Sequence, residues 1–269
     1  MIPFPMAFNQ SCYGIRGKPS VVIQTYLYYL LKHSIPLLKR QTHGSVFDTI
    51  TRDTFANIEV DLPPIKEQQI IAATLSSLDD KIENNRKINQ CLEQMAQAIF
   101  KSWFVDFEPW GGVMPSDWRE GTLSEIADIT MGQSPAGISY NEEGLGAVFY
   151  QGRAEFGFRF PTRRLFTTQP KRMATKGDVL ISVRAPVGDL NVAWEPCCIG
   201  RGLAAIQSNS SCQSFVLYTM LSLKQQFDVF DGQGTVFGSI NKNDMANLPV
   251  LIPSDEVLCQ FEKLVNPMD

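Results

Sequence analysis

The chain has 269 residues, 44% of them hydrophobic and 19% charged, and a formal net charge of −4 at pH 7. This composition is typical of a soluble protein with a substantial hydrophobic core and one or two domains. No apolar run reaches about 18 residues, so the sequence predicts no membrane span.

The cysteines and histidines do not form the pattern of a metal site. None of the six cysteines belongs to a CxxC pair, and the chain has only two histidines, so a zinc-ligand pattern is missing. The first ten residues have neither the basic region nor the apolar stretch of a signal peptide. We therefore expect a protein of the reducing cytoplasm.

The segment 1–62 has the pattern of an incomplete domain. Apolar and aromatic residues within 21–31 recur at helical spacing, and residues 55–62, FANIEVDL, predict a short strand. So short a segment has too little surface to bury for an independent core. We interpret it as the C-terminal part of a larger domain.

The segment 63–108 predicts one long helix. After Pro64 it contains no glycine or proline, and Glu67 lies where the helix dipole favours a carboxylate. At about 1.5 Å per residue the helix would be roughly 60 Å long. Its apolar residues fall on one seam, in steps of three, four or their sums: Ile71, Leu75, Leu78, Ile82, Leu92, Ile99 and Trp103. Such a seam predicts a partner helix, as in a coiled coil, and the alternative is a long surface helix of one globular domain.

The segment 109–253 predicts a second, mixed domain. Two prolines and two glycines within 109–120 mark a connector, and short β-rich runs then alternate with polar, glycine-containing loops. A helix candidate covers 214–230 and a last strand covers 248–252. The alternation is too irregular for a doubly wound sheet. The predicted fold class is therefore α+β, with globular domains joined by a long coiled-coil-type helix.

The stretch from residue 151 to residue 184 is strongly basic within an acidic chain. Its eight basic and two acidic residues give a local net charge of +6. A local basic patch, rather than the overall charge, is what attracts phosphate groups. The stretch is thus consistent with a nucleic-acid partner, and the alternative is a solvated face balanced by acids elsewhere in the fold.

An internal repeat relates the two ends of the chain. With a shift of 190 residues, Leu27–Pro63 aligns without gaps to Leu217–Pro253, and 11 of the 37 positions are identical. A helical pattern follows each copy. Residues 254–269 therefore predict the start of a second long helix.

These segments resemble the specificity subunits of type I restriction–modification systems. The stretch from LPPIKEQQ to SWFVDF is similar to their central region, and GSVFDTI and APVGDLNVAWEPCCIGRGLAAI are similar to parts of their target recognition domains. In that family two target recognition domains are separated by two long antiparallel helices. Each domain reads one half of a split DNA site, and the helices set the spacing and carry modification subunits.

The resemblance implies a domain division for this chain. It assigns 1–62 to the C-terminal part of the first target recognition domain, 63–108 to the central spacer helix, 109–253 to the second target recognition domain and 254–269 to the start of the second spacer helix. On this pattern we expect a specificity subunit that is truncated at both ends.

The sequence predicts a reader of double-stranded DNA rather than a catalyst. It has no Asn/Asp-Pro-Pro-aromatic motif of an amino-methyltransferase, no Walker A sequence and no nucleophilic triad. We therefore predict no catalytic residue, metal or cofactor in this chain. The resemblance places S-adenosylmethionine and ATP on partner subunits, with modification subunits bound directly and restriction subunits indirectly.

DNA reading requires phosphate contacts for position and base-edge contacts for sequence. Arginine pairs with guanine and glutamine with adenine, and glycines beside such residues permit close approach. The predicted DNA-binding residues are Gln151, Arg153, Arg184, Arg201 and Gln233 in glycine-containing or turn segments, and Arg163, Arg164, Lys171 and Arg172 for phosphate. For each residue the alternative is a role unrelated to DNA: Arg184 or Arg201 can pair with an internal acid, and the other exposed cations need no partner.

Two other interpretations remain open. The chain can be chiefly an assembly element, or a non-functional fragment, whose helix seam binds other chains without specific DNA reading. Two copies can also pair through the unpaired helix and imitate a full-length subunit by symmetry.

Overall fold

The computed structural model describes residues 6–9, 12–40, 52–56, 58–224, 226–227 and 238–268. The chain forms two compact units, 1–90 and 91–269, called here the first and the second unit. None of the helices within the described residues is both long and apolar enough to cross a bilayer.

The first unit is helical in its described part. Its helices are α1 (Gln24–Arg40), α2 (Arg52–Ala56) and the beginning of α3 (Ile65–Phe104). The α3 helix is held by the buried amide of Gln68, whose Nε2 donates to the carbonyl oxygens of Val21 and Pro63 at 3.0 and 2.9 Å. Tyr29 of α1 also donates its hydroxyl to the Asp79 carboxylate at 2.9 Å.

The strand predicted for residues 55–62 is wrong. Residues 55 and 56 belong to α2, and residues 58–62 belong to no helix or strand. A strand forms only where another backbone edge takes up its hydrogen bonds, and the described residues of the first unit contain no such edge.

The long helix is confirmed over 40 residues, Ile65–Phe104. It ends before a turn in which Phe107 and Gly111 have positive φ angles of 53° and 70°. Of the seven predicted seam residues, four are partly buried, Leu75, Leu92, Ile99 and Trp103, and three are exposed, Ile71, Leu78 and Ile82. Every residue from 81 to 90 is exposed as well. A partner helix along the middle of this seam stays a prediction.

The described residues of the second unit form three sheets. The antiparallel pair consists of β1 (Arg119–Thr122) and β11 (Pro249–Ile252). The antiparallel four-stranded sheet has the order β2-β10-β7-β8 and consists of β2 (Ala127–Met131), β7 (Val179–Ser182), β8 (Leu190–Val192) and β10 (Leu203–Ser208). The five-stranded sheet has the order β3-β5-β4-β9-β6 and consists of β3 (Tyr140–Asn141), β4 (Ala147–Tyr150), β5 (Phe166–Thr167), β6 (Met173–Ala174) and β9 (Cys197–Ile199).

Helices cover these sheets and complete the core. They are α4 (Leu123–Ile126), α5 (Gln213–Ser222), α6 (Lys242–Ala246) and α7 (Asp255–Val265). The end of α3 is anchored in an aromatic cluster, where the ring centroid of Phe104 lies 5.0 Å from that of Phe215 and 5.1 Å from that of Phe261. Because Phe100 and Phe104 are one helical turn apart, both point into this core.

The internal repeat is visible in the secondary structure. The shift of 190 residues places α2 on α6 with the same bounds, and it places the first residue of α3 on the first residue of α7. Helix α1 falls on α5, which ends at Ser222. The helix predicted over 214–230 includes 225 and 228–230, which lie outside the described residues. The aligned helices therefore correspond at both ends of the chain, whereas β11 has no counterpart among residues 58–62.

Thiol reactivity gives a direct test of this core. Cys197, Cys198 and Cys212 are buried, whereas Cys12, Cys91 and Cys259 are exposed. Burial raises the pKa of the Cys197 thiol to about 12 and also raises the pKa of Cys212. Since the thiolate is the reactive form, we expect a disulfide reagent at about pH 8 to modify Cys12, Cys91 and Cys259 rapidly and the other three only after denaturation. Rapid modification of Cys197 in the native protein, read by peptide mass spectrometry, would contradict the fold.

Candidate nucleic-acid interface

Four loops of the second unit converge at one edge of its two larger sheets. Strands β2 and β7 both run antiparallel to β10, with Met131 opposite Ala204 and Ser182 opposite Leu203. The loops that follow β2 and β7 therefore lie beside the start of β10. Strand β9 runs parallel to β4, so the loop after β4 lies beside the turn that joins β9 to β10.

Backbone hydrogen bonds close this arrangement. Gly202 donates its N–H to the Gln151 carbonyl at 3.2 Å, and its own carbonyl accepts from Val183 at 2.9 Å. Gly132 donates to the Leu203 carbonyl at 2.9 Å. We call the surface formed by residues 132–134, 151–153, 183–189 and 200–202 the loop edge.

Glycines allow the loop edge to be this compact. A Cβ atom added to Gly132 would lie 2.1 Å from the Gly200 carbonyl oxygen, and one added to Gly202 would lie 2.7 Å from the Gln151 carbonyl oxygen. Both distances are far inside van der Waals contact. The neighbouring side chains of Gln151 and Arg201 are exposed, so the edge has a tight backbone and accessible polar groups.

The loop edge brings together four of the predicted DNA-binding residues. Gln151, Arg153, Arg184 and Arg201 all lie on it and are exposed, while Gln233 lies outside the described residues. The Arg172 carbonyl accepts from the N–H of Ile199, next to Gly200, at 2.9 Å. Lys171 and Arg172 therefore border the loop edge, and both are exposed.

Three of the predicted arginines pair with carboxylates of the second unit. Arg163 binds Glu195 in the turn between β8 and β9 with both an Nε and an Nη2 contact, the latter at 2.8 Å. Arg164 binds Glu155, and this carboxylate raises the pKa of its guanidinium. Sequence reasoning had considered such pairing for Arg184 and Arg201. Within the described ranges neither of those two has an ion pair, and Arg153, Arg163 and Arg164 do.

A small charged cluster occupies one end of the loop edge. The Asp189 carboxylate pairs with Arg153, and the Lys224 ammonium lies 4.0 Å from its other oxygen. These residues line a cleft of about 290 Å³ together with Gly157 and Leu221. Exposed ion pairs of this kind contribute about 0–1 kcal/mol, so a phosphate can replace the carboxylate as the partner of either cation.

Two buried titratable groups of the second unit have raised pKa values. Burial raises the pKa of Tyr150 to about 12, and its hydroxyl lies 3.5 Å from the Pro161 carbonyl oxygen. Burial also raises the pKa of Asp178, although its carboxylate accepts from the N–H and hydroxyl of Thr175, both at 2.7 Å. Within the described part of the chain, no cluster of His, Cys, Asp or Glu could hold a metal ion. Tyr150 stands at the end of β4, next to the loop edge, whereas Asp178 stands just before β7, at the end of that strand opposite to the loop edge.

Sequence reasoning missed several residues of this surface. Gln133 is exposed beside Gly132, and the hydroxyl of Ser134 accepts from the Arg201 N–H at 3.3 Å. The combination of glycine and glutamine in Gly132-Gln133 is the same signal that pointed to Gln151-Gly152. Asp189 and Lys224 gave no such signal, because their role depends on a tertiary contact.

The family model described as "Type I restriction modification DNA specificity domain" matches residues 1–94 and 115–260. The chain belongs to this family. The resemblance inferred from the sequence is thereby confirmed, and the two matched ranges agree with the internal repeat.

Relatives in the specificity-domain family are similar to this chain over different lengths. It is 36% identical over 273 residues to the type I restriction enzyme MjaX specificity subunit of Methanocaldococcus jannaschii, covering 95% of this chain and 63% of that protein. It is 39% identical over 99 residues to the HindI specificity subunit of Haemophilus influenzae, covering 35% of this chain and 22% of that protein. The chain thus spans less than two thirds of the length of the MjaX subunit.

Solved structures of the specificity-domain family have the same architecture. The HsdS subunit from Thermoanaerobacter tengcongensis matches with a TM-score of 0.53 and 32% identity, over 94% of this chain and 64% of that one. The S subunit from M. genitalium matches with a TM-score of 0.59 over 93% of this chain and 71% of that one. Its identity is 19%, so this second match concerns the fold alone. The predicted α+β fold with a long helix is confirmed.

Proposed function

We propose that this chain is a DNA-sequence-reading subunit of a type I restriction–modification complex and that the loop edge contacts the bases. The observation that carries the proposal is the convergence of four loops, which places exposed Gln151, Arg184 and Arg201 on one surface. Membership of the specificity-domain family supports the same conclusion.

The chemistry of the edge suits readout in the major groove. A guanidinium can donate two hydrogen bonds to guanine O6 and N7, and a glutamine amide can donate to and accept from adenine. Arg184 and Arg201 are the strongest candidates for guanine because no ion pair within the described chain competes for them. Gln151 and Gln133 supply the amides that adenine requires.

Phosphate contacts would then fix the domain on the duplex. Lys171 and Arg172 border the loop edge without an ion pair in the described part of the chain, and Arg153 exchanges its pair with Asp189 for a phosphate. Arg163 and Arg164 are less available, since each is held by a carboxylate. Such contacts give affinity that falls with salt but no sequence information.

The remaining parts of the chain are assigned by the family pattern. In this proposal 1–62 completes a recognition domain, 63–108 is the spacer helix that docks modification subunits, 109–253 is the intact reader and 254–269 begins a second spacer helix. The catalytic steps, S-adenosylmethionine and ATP belong to the partner subunits, and restriction subunits associate through them.

A second candidate is favoured by the exposed seam of α3. Leu78 and Ile82 are 54% and 50% exposed although both lie on the predicted packing seam. A seam of this kind suits an assembly element that binds modification subunits or pairs two copies of the chain without specific DNA reading. Equilibrium sedimentation of the whole chain distinguishes a dimer from a monomer.

The first experiment is a selection from random-sequence duplex DNA with the chain bound to its modification subunit. Sequence reading predicts that the recovered duplexes share one short sequence. If the complex forms and the recovered duplexes share no sequence, the assembly interpretation replaces the reader. The matched control is the modification subunit alone, which reports its own DNA retention.

The charged cluster predicts a gain of affinity. Replacing Asp189 by asparagine keeps the side-chain shape and releases Arg153 and Lys224, whose charges are then free for phosphate. We expect non-specific duplex binding to strengthen about three- to tenfold. The slope of the logarithm of the binding constant against the logarithm of the salt concentration should become steeper by about one unit, because about one more counterion is released from the DNA. Fluorescence anisotropy at several salt concentrations measures both quantities.

Asp128→Asn is the control for this change. Asp128 is an exposed acid near the start of β2, the end of the strand opposite to Gly132. Both variants lose one negative charge. An equal gain of affinity in both would show that overall charge, rather than the cluster at the loop edge, governs binding.

A further inference from the structure

One ion pair joins the loop between β4 and β5 to helix α3. Arg159 lies in this loop, residues 151–165, and its Nη2 atom pairs with the Glu93 carboxylate of α3. The same atom lies 3.1 Å from the Tyr218 hydroxyl of α5. All three residues belong to the second unit.

Burial distinguishes this ion pair from the others near the loop edge. The side chains of Arg159 and Glu93 are 12% and 17% exposed, whereas that of Arg163 is 56% exposed. The guanidinium carbon of Arg159 also lies 5.9 Å from the centroid of the Tyr218 ring. A guanidinium enclosed by these groups cannot also reach a phosphate on the surface of a duplex.

The backbone of the same loop is fixed at this point. Val192 of β8 donates its N–H to the Arg159 carbonyl at 2.8 Å. The buried amide of Asn191 donates to the Gly157 carbonyl at 2.9 Å. The middle of the loop is therefore fastened to β8, to α5 and, through Glu93, to α3, while its first residues, Gln151 and Arg153, lie at the loop edge.

We propose that Arg159 is a positioning residue for DNA recognition, which acts by fastening loop 151–165 to α3 through Glu93. The inference rests on the proposed function. Removing either Glu93 or Arg159 takes away this link, and the loss is costly because the ion pair is mostly buried. The loop then loses its attachment to α3, and the groups at its beginning leave the geometry that base contacts require.

The proposal predicts a change of DNA affinity opposite in sign to the change expected from net charge alone. Glu93→Gln removes a negative charge, which by itself strengthens attraction to a polyanion. Loss of the ion pair that attaches the loop to α3 instead predicts that the selected duplex binds about tenfold more weakly. Other residues that act through a network of contacts have effects of this size. Glu120→Gln, at an exposed acid of β1, is the matched control and is expected to bind as tightly as the wild type or slightly tighter.

Substitutions of Arg159 separate positioning from direct phosphate contact. Arg159→Met should weaken binding of the selected duplex without changing its salt dependence. If Arg159 contacted a phosphate instead, the slope of log binding constant against log salt concentration would fall in magnitude by about 0.9. Arg159→Lys keeps a charge for Glu93 and should restore part of the affinity. Amide hydrogen exchange within 151–165 should accelerate in Glu93→Gln and Arg159→Met while β7 and β10 keep their protection.

The measurement is duplex affinity of the whole chain in its modification complex at several salt concentrations, with exchange recorded on the same samples. Weaker binding by Glu93→Gln, unchanged slope for Arg159→Met and faster exchange in the loop support the inference. If the wild type selects a sequence and Glu93→Gln binds as well or better, the positioning role is refuted alone. If the wild type binds no specific sequence, the proposed function fails and the positioning role fails with it.

Discussion

Replacing Arg184 and Arg201 together by alanine is expected to abolish most sequence-specific binding. Each bidentate contact to guanine contributes about 1–3 kcal/mol of discrimination, so the double variant should bind the selected duplex roughly 100-fold more weakly or worse. Both side chains are exposed and lie at the ends of buried strands. Their truncation should therefore change the free energy of unfolding by no more than about 0.5 kcal/mol each.

The decisive comparison is between selected and random duplexes. A base-reading role lowers affinity for the selected sequence much more than for random DNA, and a phosphate role lowers both equally. Lys263→Ala, which removes one exposed cation from α7, is the control for charge and should reduce both affinities slightly. Equal losses on both duplexes in the double variant would assign Arg184 and Arg201 to the backbone of DNA.

Replacing Phe261 by alanine is expected to destabilise the second unit by about 3–5 kcal/mol, because it removes a ring from a close-packed core. The Phe261 side chain is fully buried, and its ring centroid lies 5.1 Å from that of Phe104 and 6.0 Å from that of Phe100. A loss of this size is a large share of a typical total stability of about 5–15 kcal/mol. Urea unfolding followed by tryptophan fluorescence measures the change, since Trp103 and Trp118 are part of the same cluster.

Phe158→Ala is the matched control for this substitution. Phe158 is 64% exposed, and its removal should change the free energy of unfolding by less than about 0.5 kcal/mol. If Phe261→Ala also costs less than about 1 kcal/mol, the end of α3 is not anchored by α7, and the aromatic cluster does not fasten the helix to the second unit.

Local rules were sufficient to predict the long helix. A run of this length without glycine or proline and with apolar residues at helical spacing has few alternatives, and the helix forms from Ile65 to Phe104. The repeat was also visible in the sequence, since identical residues such as Val60 and Val250 occur at one constant shift. What differs is the surroundings: Val250 pairs with Gly121 of β1, whereas residues 58–62 pair with no strand among the described residues. The strand expected there was missed because pairing, and not composition, decides whether an extended segment becomes a strand.

The candidate site was only partly predictable for a related reason. Arg184 and Arg201 were found because each lies in a short turn next to a buried run, a local pattern. The partners of Arg153, Arg163 and Arg164 lie 36, 32 and 9 residues away in sequence. No local pattern contains that information. The number of unpaired cations expected from the basic stretch was therefore too high.

The tight backbone of the loop edge has a consequence for how this protein can change over generations. At Gly132, Gly200 and Gly202 even a methyl group would collide with a neighbouring main chain, so these positions are closed to variation. The exposed side chains of Gln133, Gln151 and Arg201 contribute little to folding, and substitutions there usually change stability by less than about 0.5 kcal/mol. On the proposed function, preference for a new DNA sequence can thus arise by single substitutions on an unchanged backbone, without a compensating gain of stability elsewhere.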